Sequence, residues 1–426
     1  MASLTSRLRA PVSAVVMAGM VAVAGACSSG MSAGAPAQVG GVSAPPATPA
    51  VQFSIEPSNG HRRVPPGKTV MVSVTNGKLT GVTAGAPGDP LTGKLKHGRT
   101  VWMSRRTLHT ATRYTVHATA VDAAGHTVTA TSSFRTLAPR QVENTTIFEA
   151  AHGTYGVGMP ITLTFDHPVT NRQAVERALH VRASKPVTGA WYWDGDSTVY
   201  FRPRNYWPEH TTVHFQGDLD GVEAAPGVYG THTLKQVFTI GDSLIAVAST
   251  TEHHVQIYRH KKLYATWPIS TGKPGDDTPN GTYLTIEKGN PVEMKGPGYD
   301  LMVPFSVRFT WSGDYMHDAY WSVGEQGFTN VSHGCVNLSP ANAETYYNWA
   351  VPGDPVTVTG SPRGGAWGNG WTVWFLTWKE LVNGSSLHRA IRVGKHGDRP
   401  VDPSTLKKKT LTSPVLTSQP GNADPA

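Results

Sequence analysis

The chain has 426 residues, a length that suggests roughly two to four domains, and 39% of them are apolar, enough for several small cores. A formal net charge of +8 admits an anionic partner, but no block of basic residues interleaved with aromatics supports nucleic acid. The charge reads as general attraction to an anionic envelope, and the 45 Gly and 32 Pro among many Thr and Val point to strands and turns over helices.

At the N-terminus Arg7 and Arg9 precede an apolar stretch, Pro11 to Ala24, too short for a comfortable membrane span. Ala24-Gly-Ala26 and Cys27 follow, so residues 1–27 read as an export signal. Cleavage after Ala26 by an ordinary signal peptidase is one reading. The other, preferred here, takes Val-Ala-Gly-Ala-Cys as a lipobox with Cys27 acylated, which expects a protein anchored to the outer face of the plasma membrane. Residues 28–49, mostly Gly, Ser, Ala and Pro, read as a disordered tether.

From Val51 short runs of β-branched residues near period two alternate with Gly, Pro and Asn turns. Thr69 to Thr75 and Tyr114 to Val121 are examples, and Ser133 to Thr136 closes the block. A second block holds strands at Ile161 to Phe165, Thr198 to Arg202, Thr212 to Phe215 and Gln236 to Ile240, with one helical turn at Asn171 to Leu179. Residues 50–139 and 140–241 are each the size of an immunoglobulin-like β-sandwich.

The third region, 242–361, carries strands at Leu244 to Ser249, Val255 to Tyr258 and Val356 to Thr359. It has one helix, Pro340 to Trp349, with Ser339 at the N-cap, Pro340 at the first helical position and Ala343, Tyr346, Tyr347 and Ala350 on the apolar face. A Trp-rich extension, 362–401, is expected to pack on a neighbouring domain, and 402–426 reads as a disordered tail. The fold class is thus mainly β.

The chain has two cysteines, Cys27 and Cys335. With Cys27 acylated, Cys335 is a lone thiol in an exported protein and a candidate nucleophile; the alternative is a buried Cys acting as a small hydrophobe. Cys335 lies in Ser332-His-Gly-Cys-Val-Asn337, just before the predicted helix. A helix N-terminus or a nearby imidazole would lower its pKa, and Gly334 would let the Gly334 and Cys335 amides face a developing oxyanion. His317 stands 18 residues upstream in Asp314-Tyr-Met-His-Asp-Ala-Tyr-Trp321. A zinc site of His317, His333 and Cys335 is set aside, since no further ligand stands at short spacing. Trp321 and Tyr320 suit either core or substrate wall, and Tyr299, in Gly296-Pro-Gly-Tyr-Asp300, also reads as a simple turn aromatic.

His317, fourteen further residues, then Ser332-His-Gly-Cys-x-Asn337 resembles the signature of the YkuD-type L,D-transpeptidases. The wider arrangement is similar to the mycobacterial members: two immunoglobulin-like domains, a catalytic domain and a Trp-rich C-terminal piece. Phe238-Thr-Ile-Gly241 resembles their second sandwich, and Trp321 to Gly327 their catalytic lid. The resemblance implies Cys335 as nucleophile and His317 as general base, its other ring nitrogen held by the carbonyl of Asp318, where many relatives carry Ser. The Asp318 carboxylate, where this chain departs from that pattern, either sits beside the imidazole and raises the His317 pKa or points into solvent. His333 and Asn337 would order the site, and the Gly334 and Cys335 amides with the Tyr299 hydroxyl would form the oxyanion hole. Tyr299, Trp321, Ser332, Asn337 and Asp318 are the expected substrate-side residues. The implied partners are peptidoglycan stem peptides, donor and acceptor, and carbapenem β-lactams, with no metal and no cofactor. An L,D-carboxypeptidase and a non-catalytic wall-binding lipoprotein are the competing readings. Sortases also place His before Cys, but farther upstream and with a later Arg.

Overall fold

The computed structural model of the chain describes residues 49–402 apart from 297. The export signal with Cys27, the tether and the polar tail lie outside the described residues. From Ala50 onward the described chain forms one unit, and among the described residues no helix is long and apolar enough to cross a membrane.

The first sandwich pairs two four-stranded sheets. In its strand Arg113–Val121 the inward positions Tyr114, Val116, Ala118 and Ala120 are buried while the intervening residues are more exposed, the alternation a half-buried strand requires. The second sandwich is built on β1 (Ile161–Phe165), β2 (Val187–Asp194) and β3 (Thr198–Pro203), which lie together in one sheet, faced by a four-stranded sheet containing Thr212–Gly217 and Leu234–Ile240. The expected helical turn is a six-residue helix, Arg172–Arg177.

The third region holds a five-stranded sheet in the order Lys262–Pro268, His254–Arg259, Leu244–Ser249, Pro355–Thr359, Gly281–Leu284. A smaller four-stranded sheet beside it contains β4 (Tyr315–Asp318) and β5 (Val336–Leu338), paired in parallel with His317 opposite Asn337. The helix α1 (Pro340–Trp349) follows directly and buries Ala343 and Tyr346, with Ala350 at its C-cap, against this region's core. Pro at its first position fixes the start, and the Ser339 side chain makes no capping hydrogen bond.

The C-terminal extension does not stand alone. Its short helix α2 (Trp378–Asn383) begins with a capping box between Thr377 and Glu380. Its strands β6 (Ile391–Gly394) and β7 (Gly397–Pro400) extend the second sandwich's sheet, β6 pairing with β2. Leu381, Val393 and Trp374 are buried in the same core as Phe201, Trp207 and Phe215 of that sandwich. Ile245, Leu284 and Ile286 of the third region join this core. The Gly156 amide donates to Pro352 O at 2.8 Å and the Gly158 amide to Gly353 O at 3.0 Å. The second sandwich is therefore a solid base for the sheets that carry the site.

Candidate active site

The parallel pairing of β4 and β5 brings the two sequence motifs together. With His317 in register with Asn337, the thiol-bearing residue at 335 lies level with Tyr315, and the Tyr315 amide hydrogen-bonds the sulfur. The thiol itself points to Gly313 O at 3.7 Å. Cys335 is partly exposed, and it is the one cysteine among the described residues.

His317 is 4% exposed, and its Nδ1 lies 2.7 Å from the Asp318 carbonyl. A carbonyl only accepts, so Nδ1 carries the proton and the neutral ring presents an unprotonated Nε2. Burial drives its pKa down to about 4, against the opposing pull of that carbonyl. The Trp321 indole lies over the imidazole with ring centroids 5.9 Å apart. Burial also pushes the Cys335 thiol up to about 12, and the nearby Asp314 charge pushes in the same direction, against the Tyr315 amide. At neutral pH the resting pair is thus a neutral thiol and a neutral imidazole.

Several expectations are corrected here. No helix N-terminus activates the thiol, because β5 separates Cys335 from the start of α1. The Asp318 carboxylate does not raise the His317 pKa: alternation along β4 sends it to the opposite face, and only its backbone carbonyl meets the ring. Asp318 is 5% exposed, and its Oδ1 is buried without a hydrogen-bond partner. Burial holds this carboxyl above its ordinary range, against a hydrogen bond from the Tyr320 backbone. Ser332 and Asn337 are buried and engaged as well. The Ser332 hydroxyl donates to Cys335 O at 2.6 Å and accepts from the Gly334 amide at 3.2 Å. The Asn337 Nδ2 donates to Ser322 Oγ at 3.0 Å, tying the Cys335 segment to the turn at Tyr320–Ser322. The Gly334 amide is therefore spoken for. The Cys335 amide makes no hydrogen bond among the described residues and is the backbone donor left for an oxyanion.

Gly334 is required for shape. Its φ is +127°, and a Cβ there would stand 2.4 Å from Asp314 Oδ1. Asp314 is 6% exposed and accepts from Thr310 Oγ1 at 2.6 Å and Ser312 Oγ at 3.1 Å. The Gly334 carbonyl accepts from Thr278 Oγ1 at 2.7 Å, and the Lys273 amide donates to Ser332 O at 2.9 Å. The segment 272–278 thus straps the loop that carries Cys335. Sequence reasoning missed Asp314, Thr278 and Lys273. Asp314 stood in a motif already singled out; the other two lie some 60 residues upstream with no local signal.

Of the remaining expected residues, Tyr299 and Trp321 face the site. Tyr299 is half-buried; burial and the neighbouring Cys335 raise its hydroxyl pKa. Trp321 is 45% exposed. His333 is exposed, lies against the Tyr299 ring at 4.8 Å, and brings Nε2 within 2.7 Å of Lys273 Nζ. An ammonium only donates, so Nε2 accepts. Among the described residues the groups close enough to share a metal ion lie elsewhere, not at His317, His333 and Cys335.

With this geometry in hand, the relationships are clear. A family model for the bacterial Ig domain matches residues 61–223, and one for the L,D-transpeptidase catalytic domain matches 243–358. L,D-transpeptidase 5 of Mycobacterium tuberculosis is 33% identical over 80% of this chain and 78% of that protein. L,D-transpeptidase 2 is 31% identical over 72% and 79%, and L,D-transpeptidase 1 is 39% identical over 48% and 80%.

Proposed function

The chain belongs to the L,D-transpeptidase family, and from that premise we propose that it forms 3→3 crosslinks in peptidoglycan through a Cys335 thioacyl-enzyme. The observation that carries the reading is the pairing of β4 with β5, which sets a buried imidazole of fixed tautomer beside the loop bearing the lone described thiol.

In the proposed reaction a tetrapeptide stem is the donor. His317 Nε2 takes the thiol proton as sulfur attacks the carbonyl of the third residue, since a thiol near pKa 12 supplies almost no thiolate of its own. The developing oxyanion meets the Cys335 amide and the Tyr299 hydroxyl. The carbon–nitrogen bond breaks, the imidazolium returns its proton to the departing D-alanine, and the thioester remains. The side-chain amine of a diaminopimelate on a second stem attacks that carbonyl, His317 takes the amine proton, and the thiol is regenerated on its return. A carbapenem offers the same nucleophile a strained acyl group and would stall at the first acyl-enzyme.

Export and a lipid anchor on Cys27 belong to the same proposal. They would place two sandwiches as a stalk between the membrane and the wall. The test of function is mass analysis of products from a purified tetrapeptide-stem fragment. The expected product is a crosslinked dimer that has lost one D-alanine. Tripeptide alone would mean that water is the acceptor and would make the protein an L,D-carboxypeptidase. Unchanged substrate would favour a non-catalytic wall binder.

A further inference from the structure

A second cluster lies in the second sandwich, where the chain enters it from the first. Glu143 ends the short strand Gln141–Glu143, and Asp166 and His167 form the turn after β1. Glu143 is 3% exposed. Its Oε1 accepts the Asp166 amide at 3.0 Å and the His167 amide at 3.4 Å, while its Oε2 is buried with no N–H or hydroxyl donor, and the carboxyl as a whole lies within hydrogen-bond reach of the Asp166 carboxylate. That orphaned oxygen is 3.7 Å from His167 Nδ1, which in turn is 2.7 Å from Asp166 Oδ1. One ligand atom from each of the three residues lies within 4.8 Å of the others. Asn144 fixes Asp166 from behind, its amide donating to Oδ1 at 2.9 Å and its Nδ2 to Oδ2 at 2.7 Å.

We propose that Glu143, Asp166 and His167 bind a divalent cation of the zinc class, clamping the chain's entry into the second sandwich to the turn after β1. A buried carboxylate oxygen without a donor is costly, and a cation satisfies it directly. Two carboxylates and one imidazole match three protein ligands with a fourth position left to water. The imidazole favours zinc and its neighbours over calcium or magnesium, which select oxygen. Asp166 and His167 side chains are 41% and 28% exposed, so the cluster opens to solvent on one side while Glu143 closes the other. The grouping Glu209, Asp242 and His260 lacks this feature. Glu209 Oε1 already accepts from Ser243 and His260, and Asp242 Oδ2 from Arg259.

The test uses the full chain carrying Cys27→Ser and Cys335→Ala, so that no thiol can compete, stripped of metal with a chelator and titrated calorimetrically with zinc chloride. One equivalent should bind. Glu143→Gln and His167→Ala, each on that background, should weaken binding at least tenfold. Zinc should raise the thermal midpoint of the parent over its value in EDTA and should not raise that of the variants. Absence of saturable binding would mean that Glu143 is neutralised by a proton and would overturn the site. Undiminished binding in either variant would place the ion elsewhere and overturn it too. Should Glu143→Gln fail to fold, the half-exposed His167→Ala decides.

Discussion

At the scale of single residues, the account turns on two neutral groups. His317 is held near pKa 4 by burial and Cys335 near 12. Acylation needs an unprotonated Nε2, so its rate should be flat across neutral pH and fall as pH drops through about 4, where the imidazole gains a proton. Asp318→Ser keeps the backbone carbonyl and removes only a carboxylate on the opposite face of β4. Its pH–rate profile should superimpose on that of the wild type. A displacement of the acid limb by one unit, about 1.4 kcal/mol, would show that the carboxylate reaches the ring after all. The proposed nucleophile and base stand out in the sequence because their residue types and spacing match a signature. The side-chain contacts of Ser332, Asn337 and Asp318 were not legible there. Whether a polar side chain meets substrate or a neighbouring backbone depends on which way a strand faces, and a linear motif does not carry that information.

At the scale of elements, period-two alternation marked the strands of both sandwiches, and Pro340 marked the start of α1 because proline at a first helical position has no amide to waste. The 272–278 strap escaped notice because its contacts with Ser332 and Gly334 are long-range and its own sequence is an ordinary turn. The C-terminal extension was legible as something that packs elsewhere, but its strand pairing with β2 was not, since β6 and β2 are about 200 residues apart. That pairing has a consequence for stability. Leu381 on α2 is fully buried in the second sandwich's core. Leu381→Ala should cost about 2–5 kcal/mol. The measurement is thermal or denaturant unfolding followed through the buried Trp residues. Unchanged stability would mean that α2 is dispensable to that core.

At the scale of the whole molecule, contacts join the parts from first sandwich to last strand. His109 of the first sandwich pairs with Asp220 of the second, and Gly221 has no room for a Cβ because Leu108 O would stand 2.4 Å from it. The Trp374 indole donates to Gly158 O at 2.8 Å, fixing the extension to the second sandwich. A stalk of this kind is useful if its base is anchored. If Cys27 is acylated, the full-length protein should partition into detergent, since two acyl chains give stable attachment, and Cys27→Ser should release it to the aqueous phase. Wild-type protein recovered without lipid mass would instead establish ordinary secretion.

The central claim is that the Cys335 sulfur becomes acylated, and intact-mass analysis of the protein mixed with a carbapenem tests it most directly. Ring opening adds the whole drug, so the wild type should gain the drug's mass once, with the adduct mapped to the peptide containing Cys335. Cys335→Ala should gain nothing while keeping the wild-type thermal midpoint. An unmodified wild type, or an adduct that persists in Cys335→Ala, would contradict the account.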